Sequence, residues 1–148
     1  MAKLFNIMNP TVAIFGQKDF QQLRILIAMV EALDLPIEVV GSPTLRDLDG
    51  LAMSSRNQYL SIEERAKALS ISRGLFAARA EVEKGVIQTN RLITTIQKPM
   101  LEAHLSIDYV AAVDPITLKN VESVNGPTVL AVAARVGSTR LIDNVVVG

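Results

Sequence analysis

The sequence predicts an α/β chain, in which one β-α-β unit over residues 11–40 is followed by a small α+β domain with helices and an antiparallel sheet. Three observations carry this. The run Thr11-Val12-Ala13-Ile14-Phe15 is short, apolar and β-branched and stops at Gly16, as a buried strand of a parallel sheet does. Leu23, Leu26, Ile27, Val30 and Leu33 then recur at helical spacing until Pro36 blocks continuation. Near the end, residues 106–113, 128–136 and 140–147 are β-rich runs separated by Pro, Asn and Gly turn signals.

Taken in order, Leu4, Phe5, Ile7 and Met8 read as the end of a helix packed on a sheet whose earlier strands are absent. After the strand ending at Gly16, a helix is expected from Asp19 to about Asp34, with Asp19 and Gln22 in a capping arrangement. Ile37-Glu38-Val39-Val40 is the second strand, parallel to the first through a right-handed crossover. Residues 41–60 show little periodicity, and a domain boundary is placed there, with 1–43 before it, 44–60 as linker and 61–148 after it. Ser61-Ile62-Glu63-Glu64 is a capping box opening an Ala-rich helix that runs to Lys84 and is closed by Gly85. Thr89 is expected to cap the next helix, which runs toward His104 with Pro99 inside it, giving a kink or two shorter helices.

Composition narrows the function classes. Fifteen basic and fifteen acidic residues leave no net charge, so nothing holds a nucleic-acid backbone or an anionic membrane surface by general attraction. With 4% aromatic residues there is little material for base stacking. The chain has no cysteine and a single histidine, which removes thiolate metal sites, paired-histidine metal motifs and a nucleophilic Cys. No apolar signal core or membrane-length run is present, so the cytoplasm is the expected compartment.

Two segments could carry chemistry. Gly16-Gln17-Lys18-Asp19 lies at a strand-to-helix junction, where open α/β sheets bind ligands. Gly16 lets a ligand approach the backbone, N–H groups at the helix start attract anions, Lys18 offers charge to phosphate oxygens, and Asp19 can accept from ribose hydroxyls. The same letters fit a structural role, with Asp19 as N-cap, Gln22 as its partner and Lys18 solvated. Neither a Walker loop nor a G-x-G-x-x-G fingerprint is present. The second segment, Met53-Ser54-Ser55-Arg56-Asn57, offers two hydroxyls, backbone N–H groups and a guanidinium suited to a triphosphate, or else is a polar linker capping the following helix. Asp47 and Asp49, conceivable Mg²⁺ ligands, read better as surface acids of a turn, and no metal-ligating residue is assigned. His104 reads as structural or solvent-facing, and Glu63, Glu64, Arg65 and Lys67 as a solvated helical face. Arg140 and Asp143 are expected to form an ion pair fixing a terminal turn.

Together, Ala13-Ile14-Phe15-Gly16-Gln17-Lys18-Asp19-Phe20-Gln21-Gln22, the run Asp49 to Leu60 and Thr139-Arg140-Leu141-Ile142-Asp143-Asn144 closely resemble the pantothenate synthetase (pantoate–β-alanine ligase) family. The resemblance runs from Lys3 to the end. It implies that residues 1–43 are the C-terminal part of a Rossmann-like nucleotidyltransferase domain, and that 44–60 include a loop closing on phosphates. The family's early His-x-x-His-like motif has no counterpart here, so the resemblance covers the second half of the enzyme alone. It implies ATP as substrate with Mg²⁺, pantoate and β-alanine as partners, the N-terminal half of the same enzyme as a further partner, and a homodimeric parent. It places Gly16, Gln17, Lys18, Asp19, Leu45, Met53, Ser54, Ser55 and Arg56 at ATP and Gln22 at pantoate. Lys18, Ser54, Ser55 and Arg56 become the catalytic, charge-stabilising set.

The expected function is therefore that of a ligase joining pantoate to β-alanine through an adenylate, with the isolated 148-residue chain inactive for want of the histidines. The alternatives are a weak nucleotide-binding module without turnover, another adenylyltransferase of the same superfamily, and a chain that self-associates through an exposed apolar sheet surface.

Overall fold

A computed structural model describes residues 1–148, which form two compact units, Met1–Thr44 and Leu45–Gly148. In the first, helix α1 (Ala2–Met8) precedes strand β1 (Val12–Gly16), a 3₁₀ turn (Gln17–Asp19), helix α2 (Phe20–Ala32) and strand β2 (Glu38–Ser42). The two strands pair in parallel, from Val12 opposite Glu38 to Gly16 opposite Ser42. Phe5 of α1 and Val30 of α2 meet Ala13, Phe15 and Val39 in one small core, where the Phe5 and Phe15 rings pack edge to face with centroids 6.2 Å apart.

Both helices thus supply side chains to the sheet face that carries Ala13 and Phe15, and the opposite face is open. Ile14 is 69% exposed and Val12 is also exposed, so β1 is not the buried strand that its composition predicts. Every second side chain of a strand points the same way, and within this unit one face lacks a cover. The predicted Asp19–Gln22 cap is not formed either. Asp19 occupies the N-cap with φ −91° and ψ 62°, outside the extended conformation from which a side chain reaches back, and it makes no capping bond.

In the second unit, helices α3 (Ile62–Glu83) and α4 (Thr89–Glu102) accompany an antiparallel sheet of strands β3 (Ser106–Val113), β4 (Thr128–Val136) and β5 (Thr139–Val147), in that order. The capping box of Ser61 and Glu64 is formed in both directions. Leu75, Leu92, Ile96, Met100, Leu130, Val132 and Val136 are nearly inaccessible and belong to one core shared by helices and sheet. The helices cross closely at Gly74, where an added Cβ would stand 2.5 Å from the Ile96 carbonyl oxygen. Pro99 does not divide α4, which continues through it and ends at Glu102. Thr89 opens that helix without capping it: its hydroxyl donates to the Val121 carbonyl at 2.7 Å, and Gln88 is the N-cap. No helix is long and apolar enough to cross a membrane.

The Arg140–Asp143 pair is absent for a geometric reason. Residues three apart on a strand face opposite sides. Arg140 reaches Asp108 at 2.6 Å, a bond that, with Arg135 nearby, holds the Asp108 carboxyl below its ordinary range. Asp143 turns inward and takes a different partner, described below.

Helices α2, α3 and α4 end alike. Asp34, Gly85 and His104 adopt left-handed backbone (φ 47°, 91° and 57°). Their N–H groups donate to Glu31, Val82 and Leu101, and the next residues, Leu35, Val86 and Leu105, donate to Val30, Glu81 and Met100. These are Schellman endings with an apolar residue after each turn. His104 therefore has a backbone role in which its side chain bears a steric cost. Replacing His104 with Gly is expected to stabilise the chain by about 0.5–1 kcal/mol in denaturant unfolding; a loss of stability would show that the imidazole makes a contact outweighing the strain.

Candidate functional site

In the first unit, Phe15, Gly16, Lys18, Asp19, Gln22 and Leu23 line a cleft of about 130 Å³ at the carboxyl end of β1 and the start of α2. Of the site residues predicted in this segment, Gly16, Lys18, Asp19 and Gln22 are thereby brought together with the first amides of the helix, which favour anions. Gln17 is directed elsewhere: its amide donates to the Gly41 carbonyl at 3.5 Å, across the end of the sheet.

The two glycines here differ in kind. At Gly41 an added Cβ would lie 2.8 Å from Leu23 Cδ2, so a methyl group there fits only if the end of the Leu23 side chain shifts. At Gly16 the backbone is ordinary extended chain (φ −69°, ψ 135°) and an added Cβ would meet nothing within 4 Å. Neither conformation nor packing accounts for glycine at position 16, which is among the residues that line the cleft.

In the second unit, residues 45–60 are more regular than their sequence suggests. The Leu45 carbonyl accepts from Met53 N–H at 2.9 Å, Arg46 bridges to Ala52, and Asp47 N–H donates to Leu51 at 2.9 Å, making a small hairpin. Its turn closes at Gly50, whose φ of +93° suits glycine. A short 3₁₀ helix, Ser55–Tyr59, follows; Ser54 caps it by accepting from Arg56 N–H at 3.2 Å, and Asn57 donates from Nδ2 to the Ala52 carbonyl at 3.1 Å. Leu45, Met53, Ser55 and Arg56 are exposed.

Asp47 and Asp49 both accept from Arg65 of α3 at 2.8 Å, so Arg65 is not simply part of a solvated face. The Leu51 N–H and the Arg65 guanidinium hold the Asp49 carboxyl below its ordinary range, and the two aspartates raise Arg65 above its own. No group of three or more His, Cys, Asp or Glu residues converges as a metal site.

The partner of Asp143 is Arg46, in a bidentate pair at 2.7 and 3.0 Å. The carboxylate is 4% exposed and the guanidinium 18%. Arg46 also donates to the Gly50 carbonyl at 3.1 Å and lies over the Phe76 ring, 4.8 Å from its centroid. Sequence reasoning missed Arg46, although a signal existed. Leu141, Asp143, Val145 and Val147 alternate on the core-facing side of β5, and a lone carboxylate in such a row needs a cation.

The sequence model of the pantoate–β-alanine ligase family matches residues 1–146. A pantoate–β-alanine ligase of Lotus japonicus is 50% identical over 145 residues, covering 98% of this chain and 47% of its own length. Pantothenate synthetase 1 of Bradyrhizobium diazoefficiens is 53% identical over 147 residues, covering 99% and 52%. The crystal structure of pantothenate synthetase from Thermus thermophilus superposes with a TM-score of 0.92 at 40% identity, over 97% of this chain and 52% of that one. The chain thus spans about half the length of the curated relatives it matches.

The contrast between the two glycines gives a direct test. Gly16→Ala is expected to alter unfolding free energy by less than about 0.5 kcal/mol, whereas Gly41→Ala, which must displace the end of the Leu23 side chain, is expected to cost about 1 kcal/mol. Equal losses for the two variants in denaturant melts would show that Gly16 is also a packing glycine.

Proposed function

The chain belongs to the pantoate–β-alanine ligase family, and we propose that it carries part of the machinery for ATP-dependent condensation of pantoate with β-alanine. In this reading the pantoate carboxylate attacks the α-phosphate of ATP, forming pantoyl adenylate and releasing pyrophosphate. The β-alanine amine then attacks the acyl carbon, loses a proton and displaces AMP, leaving pantothenate.

The observation that carries the reading is the cleft uniting Gly16, Lys18, Asp19 and Gln22 at the end of β1. Lys18 acts on phosphate oxygens, Gly16 and Asp19 on ribose, and Gln22, outside any cap, hydrogen-bonds pantoate. Gln17 contributes through its place in the turn beside Lys18. Leu45 lies against adenine and Met53, Ser54, Ser55 and Arg56 act on the phosphates. Such an attack needs charge neutralisation and alignment more than a protein nucleophile, which Lys18, Ser54, Ser55 and Arg56 supply in part. Mg²⁺ is held mainly by the ATP phosphates, as is usual for this ion, since Asp47 and Asp49 are engaged by Arg65. The reaction is placed in the cytoplasm and the whole enzyme is a homodimer, its other half supplying the histidines of the phosphate site.

Alone, the 148-residue chain is expected to turn over near background, because removing even one preorganised donor costs about 10²–10³ in rate. A second reading, weak ATP binding without turnover, is favoured by the small cleft, well under the roughly 300–1,000 Å³ of a typical ligand pocket. Pantothenate and AMP formation from ATP, pantoate, β-alanine and Mg²⁺ tests the proposal, with the chain alone and then mixed with the N-terminal half of a family relative. Background rates alone with recovery on mixing are expected. Robust turnover by the chain alone would refute the need for the histidines, and ATP binding with no recovery would favour the second reading.

A further inference from the structure

We propose that Arg46 and Asp143 are positioning residues for the Met53–Arg56 segment, an inference that rests on reading that segment as a phosphate-binding loop. The pair does more than join two side chains. Arg46 is bonded at once to Asp143 on β5, to the Gly50 carbonyl in the hairpin turn and, through its face, to Phe76 on α3. Its bridge partner Ala52 accepts from Asn57 Nδ2, and the Asn57 N–H donates to the Ser54 carbonyl at 3.0 Å. On the other side, Met53 N–H is held by Leu45, the residue before Arg46. Both ends of the segment are therefore tied to the backbone of Leu45 and Arg46, which the Arg46 guanidinium in turn anchors to β5, while Ser55 and Arg56 stay exposed.

The choice of an ion pair is informative. Two apolar side chains of similar volume bury as well and avoid stripping water from two charges. What the guanidinium–carboxylate fork adds is direction: two parallel bonds fix the plane and azimuth of the partners, which an apolar contact does not. Direction matters where a short segment must present hydroxyls and a cation within a fraction of an ångström of a ligand. Arg65, pinning Asp47 and Asp49 at the hairpin turn, supplies a second support of the same kind.

The test compares the parent chain with Arg46→Met/Asp143→Leu, Arg46→Lys and Arg56→Ala, measuring unfolding midpoint, amide hydrogen exchange and ATP binding by calorimetry. The double variant is expected to unfold near the parent midpoint yet exchange the residue 45–57 amides at least about tenfold faster and bind ATP at least about tenfold more weakly. Arg46→Lys, which keeps the charge and loses the fork, is expected to fall between the two. It decides the matter if the double variant does not fold. Parent-like protection of residues 53–57 and parent-like ATP affinity in a folded double variant, or in Arg46→Lys, would overturn the proposal. Arg56→Ala reports separately on the underlying reading: if it binds ATP as the parent does, the phosphate loop itself is wrong and the positioning role falls with it.

Discussion

The bidentate contact of Arg46 with Asp143 is the constraint that fixes residues 45–57 against the sheet of the second unit. A carboxylate 4% exposed on the inward row of β5 is tolerable only with a cation against it, and the loss of one partner from such a pair commonly costs about 3–5 kcal/mol. That requirement brings the first arm of the hairpin onto the sheet. The 3₁₀ helix capped by Ser54 follows, then the capping box that starts α3. The exposed polar segment at residues 53–56 is thus set on a rigid base, as sites that must hold a geometry generally are.

The first unit reaches its site by a different route. The small core fixes β1 against α1 and α2, and the parallel pairing with β2 fixes the level at which β1 stops. Where it stops, the 3₁₀ turn places Lys18 and Asp19 around the cleft, and the helix that follows brings Gln22 to it. Gly41, where a methyl group would press on the end of the Leu23 side chain, lets Leu23 and Gln17 pack close to the end of β2. Gly16, with open space where its side chain would be, is the residue for which the fold offers no reason.

Much of this is legible in local pattern. The three late strands lie within a residue of their β-rich runs, and Ser61–Glu64 and Gly85 mark the ends of α3. These are features set by neighbours in sequence, where period, caps and turn residues act directly. The failures involve partners distant in sequence. Arg46 and Asp143 are 97 positions apart, and nothing local to either names the other. Pairing Arg140 with Asp143 neglects strand alternation. Thr89 has a hydroxyl suited to a cap, but the Val121 carbonyl 32 positions on competes for it. Val12 and Ile14 are apolar without being covered, because burial depends on what is laid over a strand and not on the strand.

Each of the two short segments stands as a candidate nucleotide contact until its response to ATP is measured. The most direct measurement is backbone amide shift mapping of the 148-residue chain during ATP addition. The account predicts that amides of Gly16–Gln22 and amides of Met53–Arg56 each move as ATP is added, while the groove lined by Ser123, Asn125 and Thr128 stays unchanged. Shifts confined to that groove, or in neither segment, would contradict it.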